Sequence, residues 1–411
     1  MTRNAAPSEP SRPGREPLPW AAVMAGFCAS MIGIGLARFA YTPLIPPLIE
    51  AGWFTADRVI YLGAANLAGY LVGAIIARAL GHRFGNVAVL KVMMLLTALS
   101  FLACAFPLSE AWFFGWRLLS GVTGGTIMVL VAATLMPHIP PARRGLAGGA
   151  IFLGIGLGIA ASGTVVPFLL HWGLRATWLG LAALSFALIA LSWAGWPRNS
   201  PAAELPGRAT AEPRPALALK VLYGQYGLMA VGLVPAMVFL ADYVARGLGQ
   251  GAHVGALIWV VYGIGAILGP VVYGQMGDRL GSARALRLLL GVQAIALGTL
   301  LFDPHLAAVA IATLVIGTFP PGIVPLVLHK MHHLLPGDHA AQAAAWSRAT
   351  IIFATFQALA GYGYSYLFAM SGGSYRLLFG YGALALVLAI LADGVLGYVT
   401  RRRPRAGSLS T

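Results

Sequence analysis

The sequence predicts an all-α membrane protein of twelve transmembrane helices arranged as two pseudo-symmetric six-helix bundles. Three observations carry this. Hydrophobic residues fill 59% of the 411 positions and charged residues only 9%, with mean hydropathy +0.80. A soluble domain carries about 25% charged residues, so this chain has too little polar surface to keep a compact body in water. The apolar residues gather into twelve segments, and twelve spans of about 20 residues need about 240 residues, well within the chain. A Pro- and Ala-rich stretch separates the sixth segment from the seventh, and short motifs on its two sides repeat at a fixed offset.

Residues 1–19 hold Pro7, Pro10, Pro13, Pro17 and Pro19, which deny them a helix, and contain no apolar h-region. A disordered cytoplasmic tail without a cleavable signal peptide is expected. Apolar segments follow at 20–48, 57–80, 87–107, 110–137, 143–170 and 176–196, giving an N-terminal bundle over 20–196. Residues 197–219, rich in Pro, Ala and charge, read as an extended linker. Segments at 220–245, 253–276, 284–302, 306–334, 340–369 and 376–399 form a C-terminal bundle over 220–400, and 401–411 is a basic tail. The stretch His82-Arg83-Phe84-Gly85 and the stretch Asp278-Arg279-Leu280-Gly281 lie 196 residues apart, an offset that also relates Gly121 to Gly317 and Pro140 to Pro336. Repeated six-helix halves place a substrate site at their interface near the membrane midplane.

The net charge of +15 invites a nucleic-acid reading, and position argues against it. Of 27 Lys and Arg, 20 fall in tails, loops or helix ends on one side. Arg58, Arg175, Arg246 and Arg376 fall on the other, and Arg38, Arg117 and Arg348 lie inside apolar segments. That is the positive-inside distribution, with both termini and the linker cytoplasmic. The partner is therefore the lipid bilayer, not nucleic acid. The two cysteines, Cys28 and Cys104, sit in separate apolar segments and offer neither a disulfide framework nor a zinc site.

Four motifs then suggest a family. Gly274-x-x-x-Asp278-Arg279-x-Gly281-x-x-Arg284 joins the eighth and ninth segments; its first-half copy keeps Arg83 and Gly85 but has His82 in place of the Asp and Asn86 where a basic residue is expected. Arg117-x-x-x-Gly121 lies within the fourth segment, and Gly154-x-x-x-Gly158-Ile159-x-x-Ser162-Gly163 within the fifth. The first segment carries Gly33-Ile-Gly-Leu-Ala-Arg38-Phe-Ala-Tyr41-Thr-Pro43 and then Pro46 and Pro47. Over essentially all of residues 20–400 the chain resembles a major facilitator superfamily transporter. The first segment, Asn66-Leu-Ala-Gly-Tyr70 and Gly232-Leu-Val-Pro235 are similar to its bacterial YbfB/YjiJ-like branch. The resemblance implies the major facilitator fold, a bacterial inner-membrane location and symport or antiport chemistry coupled to protons. It also implies that Arg83, Gly85, Asp278, Arg279, Gly281 and Arg284 gate the cytoplasmic face, where a carboxylate and nearby guanidiniums can clamp helix ends. Plain positive-inside anchoring is the alternative for these loops. The fifth-segment stripe matches an antiporter motif except at Ile159 and Ser162, and reads equally as small-residue helix packing.

A guanidinium at the bilayer centre costs about 2.5–3.5 kcal/mol even on a lenient scale and needs a partner or a wet cavity. The sequence offers Arg38, Arg117 and Arg348 as buried cations, with Tyr41, Asn66, Tyr70, Tyr226, Tyr262 and Gln357 as polar companions. No Glu is embedded; Asp242 near the outer end of the seventh segment is the proton-coupling candidate, and Asp393 lies toward the inner end of the twelfth. A positive cavity points to a small organic anion or polar metabolite as substrate. An efflux pump for hydrophobic compounds and a non-transporting sensor are the rival functions; no Ser/His, paired-Asp or HExxH constellation supports an enzyme. His329, His332 and His333 share helical spacing without a carboxylate or Cys beside them and read as basic anchors, and Met24, Met31, Met229 and Met237 fit no tight ligand pair. No metal, no cofactor and a monomer are expected. The tenth segment, with Pro320, Pro321 and Pro325, is expected to be broken.

Overall fold

Long helices run through the computed structural model, which describes residues 19–140, 143–197, 217–302, 305–335 and 339–402. They are α1 (Trp20–Glu50), α2 (Ala56–Phe84), α3 (Asn86–Cys104), α4 (Glu110–Leu135), α5 (Arg144–Leu170) and α6 (Leu174–Ser192) in one half. The other half holds α7 (Leu217–Gly247), α8 (Gly251–Leu280), α9 (Ser282–Phe302), α10 (Leu306–Gly317 and Phe319–Leu334), α11 (His339–Met370) and α12 (Tyr375–Arg402). Among the described residues eleven segments are long and apolar enough to cross a bilayer, and α11, at 32 residues, is long enough for a twelfth span. Large apolar side chains such as Phe302, Ile295, Ile311 and Leu359 are exposed around the outside, as a lipid-facing surface requires. The protein is a multi-pass, all-α membrane protein.

Most expected boundaries agree with these helices to within a few residues. Two helices overrun: α2 reaches Phe84 and α8 reaches Leu280, so both copies of the loop motif begin as helix. Each helix stops only at a glycine in the left-handed region, Gly85 at φ +82 and Gly281 at φ +77, where a side chain would be strained. The expected linker is shorter at its end, because α7 begins at Leu217. Residues 198–216 of the linker, 1–18 and 403–411 of the tails, and Pro336 lie outside the described residues.

Two helices are broken. In α1 a π-helical turn at Met31–Leu36 is followed by a short α turn at Ala37–Phe39, a 3-10 turn at Thr42–Leu44 and a last α turn at Ile45–Glu50. Pro43, Pro46 and Pro47 supply no N–H, so the carbonyls one turn before them lose their helical donors. The break in α10 falls at Thr318, before Pro320 and Pro321, as the prolines predict.

The repeat is carried by backbone-to-backbone packing. A Cβ at Gly69, Gly73 or Gly121 would lie 2.0–2.1 Å from a carbonyl oxygen across the α2–α4 contact. Shifted by 196 residues, Gly265, Gly269 and Gly317 make the same approach between α8 and α10, each 2.2 Å from a carbonyl oxygen. Only residues without a side chain let helices come so close. Asn66 and Tyr262 stand at the same offset, so each half presents one polar side chain from the equivalent place.

The halves meet chiefly along two helix pairs, α5 with α8 and α2 with α11, and the end of α1 also packs on α7. Small residues line both: Gly163 lies against Val260, Gly263 against Ala160 and Gly361 against Leu67. Hydrogen bonds cross the interface, among them Thr42 Oγ1 to the Met237 carbonyl at 2.8 Å and Trp259 Nε1 to Ser162 Oγ at 3.1 Å. Phe39 packs on Trp259 and Tyr262, and Tyr61 on Tyr362. These contacts lie toward the end where α1 stops and α2 starts, so that end is sealed.

Candidate substrate site

The break in α1 builds the site. The backbone ladder runs from Ala40 N to Leu36 O and resumes with Leu44 N to Tyr41 O, which leaves the Ala37 carbonyl at the break. Arg117, reaching across from α4, donates Nη1 to that carbonyl at 2.9 Å. Its guanidinium lies 4.2 Å over the ring of Tyr41, and the Tyr41 hydroxyl is fixed by donation to the Val59 carbonyl at 2.7 Å. Arg38 lies 4.2 Å over the ring of Tyr70 in the same manner. Each cation is thus desolvated on one face by an aromatic ring that attracts it.

Between them is a small cavity lined by Arg38, Tyr41, Thr42, Ile45, Gly63, Asn66, Leu67, Arg117, Met237 and Val238, with a free volume of about 10 Å³. That is room for about one water. Asn66 donates Nδ2 to Ser120 Oγ at 2.9 Å, and Ser120 in turn donates to the Arg117 carbonyl at 2.8 Å. Gln357 on α11, fully buried, approaches Met237 Sδ at 3.9 Å. Tyr262 stacks on Trp259 with ring centroids 4.6 Å apart and stands within electrostatic reach of Arg38. Among the described residues neither Arg38 nor Arg117 has an ion-pair partner, and no carboxylate lines the cavity.

Of the residues singled out in the sequence, Arg38, Tyr41, Asn66 and Arg117 line the cavity itself. Tyr70, Tyr262 and Gln357 support it from behind, and Tyr226 packs on Phe353 with ring centroids 4.6 Å apart on the far side of Tyr70. Arg348 is a correction: it is exposed on α11, not a third buried cation. Ala345 and Ala349, its helix neighbours, take the buried face, and Arg348 points away from it. Thr42, Ile45, Gly63, Leu67 and Val238 were not singled out. Gly63, Asn66, Leu67 and Tyr70 fall at i, i+3, i+4 and i+7, so helix-face spacing from Asn66 was the available signal for two of them. Thr42 had none, because its place is set by a broken helix.

Asp242 is fully buried and receives Arg246 through both carboxylate oxygens and the Tyr375 hydroxyl at 2.6 Å. Arg246 also stands within electrostatic reach of Glu50, at the end of α1 in the other half. Asp278, Arg279 and Arg284 are all exposed, and no ion pair joins them in this conformation. Arg83 is exposed on the equivalent turn. His329 and His333 are exposed too, with their Nε2 atoms 2.9 Å apart; the side chain of His332 lies outside the described residues. Lys330 beside them is different. It is buried, pairs with Asp393 on α12 and donates to Gln225 Oε1 at 3.3 Å, while Arg287 approaches Asp393 from α9 at 3.4 Å. Two cations from α9 and α10 converge on that carboxylate, and Gln225 of α7 holds one of them, which nothing in the local sequence announced.

Residues 30–394 match the profile of a family described as the uncharacterised MFS-type transporter YbfB. The chain belongs to the major facilitator superfamily. It is a transporter and not an enzyme. A gallate transporter of Pseudomonas putida is 26% identical over 310 residues, covering 64% of this chain and 69% of that protein. The uncharacterised MFS-type transporter YwfA of Bacillus subtilis is 23% identical over 386 residues, covering 89% of this chain and 87% of that one. Among solved structures, the xylose transporter XylE of E. coli in a partially occluded inward-open conformation superposes with TM-score 0.71 at 15% identity, over 94% of this chain and 100% of its own. A D-xylose–proton symporter superposes at TM-score 0.70 and 15% identity, over 90% of this chain and 96% of its own. These two likenesses speak to the fold alone.

Proposed function

We propose that this superfamily member moves a small organic anion by alternating access, coupled to protons. The observation that carries the anion reading is the pair of arginines, Arg38 and Arg117, facing one cavity with no carboxylate in its lining. A cationic cargo would meet only repulsion there, and a neutral greasy cargo would leave two desolvated charges uncompensated. The relative named a gallate transporter supports an anionic cargo. Uptake of labelled organic acids into proteoliposomes tests the reading. Saturable uptake of carboxylates is expected, and uptake confined to cations or neutral lipophiles would reject it.

Asp242 supplies the proton-coupling group in this reading. It is a buried carboxylate whose partner, Arg246, feels the opposite half through Glu50, so neutralising it changes the charge balance across the sealed end. An inward acid gradient is expected to accelerate uptake, and Asp242→Asn to remove that acceleration. Uptake indifferent to the gradient in the unaltered protein would end the proton reading.

The sealed end is the outer one in a bacterial inner membrane, because the basic tails and linker belong in the cytoplasm. A cysteine at Ser371 is expected to react with an impermeant thiol reagent added to intact cells, and a cysteine at Ser200 only after lysis. The reverse pattern would invert the topology. Asp278, Arg279 and Arg284 act at the opposite end in the alternate conformation. Asp278→Asn is therefore expected to slow transport several-fold at unchanged membrane abundance, and an unchanged rate would reduce the loop to an anchor.

A further inference from the structure

We infer that His329 and His333 form a chelating site for a divalent transition-metal ion, copper(II) or nickel(II) before zinc, at the end of α10 away from the sealed end. The site lies outside the cavity between the halves, and it stands whether or not the anion and proton readings do. The warrant is a geometry that helical spacing alone did not reveal. Both imidazoles are exposed, yet they turn toward each other and bring their Nε2 atoms to 2.9 Å. Their ring centroids stand 4.6 Å apart, with an angle of 44° between the planes.

Positions i and i+4 of a helix share one face, with Cβ atoms about 5–6 Å apart, so two imidazoles there can reach a common point. Lys330 and Met331, between them in sequence, are buried and leave the solvent side of α10 to the histidines. At 2.9 Å one Nε2 donates its hydrogen and the other accepts it. A metal ion takes the place of that hydrogen when the donating ring carries it on Nδ1 instead, which keeps both rings neutral and frees both Nε2 lone pairs. Metal–imidazole bonds of about 2.0–2.1 Å that meet at a right angle set their nitrogens about 2.9 Å apart, and at the tetrahedral angle about 3.3–3.4 Å. The observed separation matches one edge of a square-planar or octahedral ion. Zinc requires the rings to part by a few tenths of an ångström, and copper(II) also stands highest in the general affinity order.

The surroundings accept a cation. The pair occupies the last turn of α10, which ends at Leu334, and the last carbonyls of a helix carry partial negative charge. Lys330, the fixed cation nearest in sequence, is offset by Asp393. Among the described residues no three His, Cys, Asp or Glu side chains gather at one point, so water completes the coordination. Magnesium and calcium want a set of oxygen ligands, and this pair offers them none. A bound ion would staple the turn that carries Lys330 to Asp393.

The experiment uses the full chain, purified in detergent through a tag that contains no histidine. Copper(II) is titrated in at neutral pH and followed by electron paramagnetic resonance; nickel(II), zinc(II) and magnesium are compared by thermal melting. One equivalent of copper(II) with two coordinated nitrogens is expected. Nickel(II) and zinc(II) should raise the melting temperature and magnesium should not, since an ion held only by the folded state stabilises it. His329→Gln and His333→Gln are each expected to weaken copper(II) binding about 100-fold, because joining two ligands on one scaffold is worth about 10²–10⁴ in affinity. Both side chains are exposed, so the metal-free variants should melt as the unaltered protein does. Copper(II) binding that is unchanged in the double variant, a single-nitrogen signal in the unaltered protein, or a magnesium shift equal to that of nickel(II) would each overturn the inference.

Discussion

Arg117→Lys is expected to cost transport nearly as much as Arg117→Ala. The site uses the shape of the guanidinium, not just its charge. Nη1 is committed to the Ala37 carbonyl while Nε is buried and unpartnered, so one group ties the broken helix and keeps a spare donor at the site. A lysine ammonium is a point donor on a flexible stem and cannot hold both directions in a plane. Hydrogen bonds to charged groups are worth about 1.5–3 kcal/mol, so losing one should slow uptake at sub-saturating substrate by about 10- to 100-fold. Arg38→Lys is expected to behave alike, through loss of the flat stacking on Tyr70 and of the free Nη2. Substrate should also protect a cysteine placed at Arg38 from a thiol reagent. Normal transport by both lysine variants, measured at equal abundance in the membrane, would mean that the charges serve folding or orientation, and the anion reading would have to be given up.

Gly121→Ala and Gly317→Ala are expected to be among the most destabilising single-methyl additions in the protein. The added Cβ would sit 2.0 Å from the Asn66 carbonyl oxygen in one half and 2.2 Å from the Tyr262 carbonyl oxygen in the other. Both obstacles are backbone, which cannot rotate away, so whole helices must part. Overpacking of this kind costs about 1–3 kcal/mol and occasionally more. The carbonyls struck belong to Asn66 and Tyr262, so the same substitutions should displace site residues and lower transport in whatever protein folds. Gly115→Ala and Gly298→Ala are the controls, since a Cβ there meets nothing within 4 Å. Replacing a helical glycine in open space is expected to be neutral or to stabilise by up to about 1 kcal/mol. Thermal melting of the purified variants in detergent decides it, and equal melting of Gly121→Ala and Gly115→Ala would show that the α2–α4 contact is looser than this packing requires.

The candidate site was partly legible because buried charge is rare in such a chain. Arg38 and Arg117 stood out as cations inside apolar segments, and they do face one cavity. The same criterion failed at Arg348, because a helix of 32 residues leaves room for an exposed side chain well inside an apolar stretch. It failed in the other direction at Lys330, which sits beside histidines near a helix end and yet is buried against Asp393 from a helix 63 residues away. An apolar window reports the average environment of a segment, and says little about which way one side chain points.

What the sequence by itself determined is what depends on short-range chemistry. Hydropathy set the segments, because backbone in a bilayer must be hydrogen-bonded within its own helix. The prolines set the breaks in α1 and α10, because a missing N–H cannot be repaired locally. The 196-residue offset announced two equivalent halves, and its pair Gly121 and Gly317 turned out to be points of close approach within each. The tertiary structure alone decided the partners. The Ala37 carbonyl meets Arg117 from 80 residues away, and Thr42 meets the Met237 carbonyl from 195. Directional bonds of that kind need two helices at a fixed distance and rotation, and these are set by the packing of all twelve.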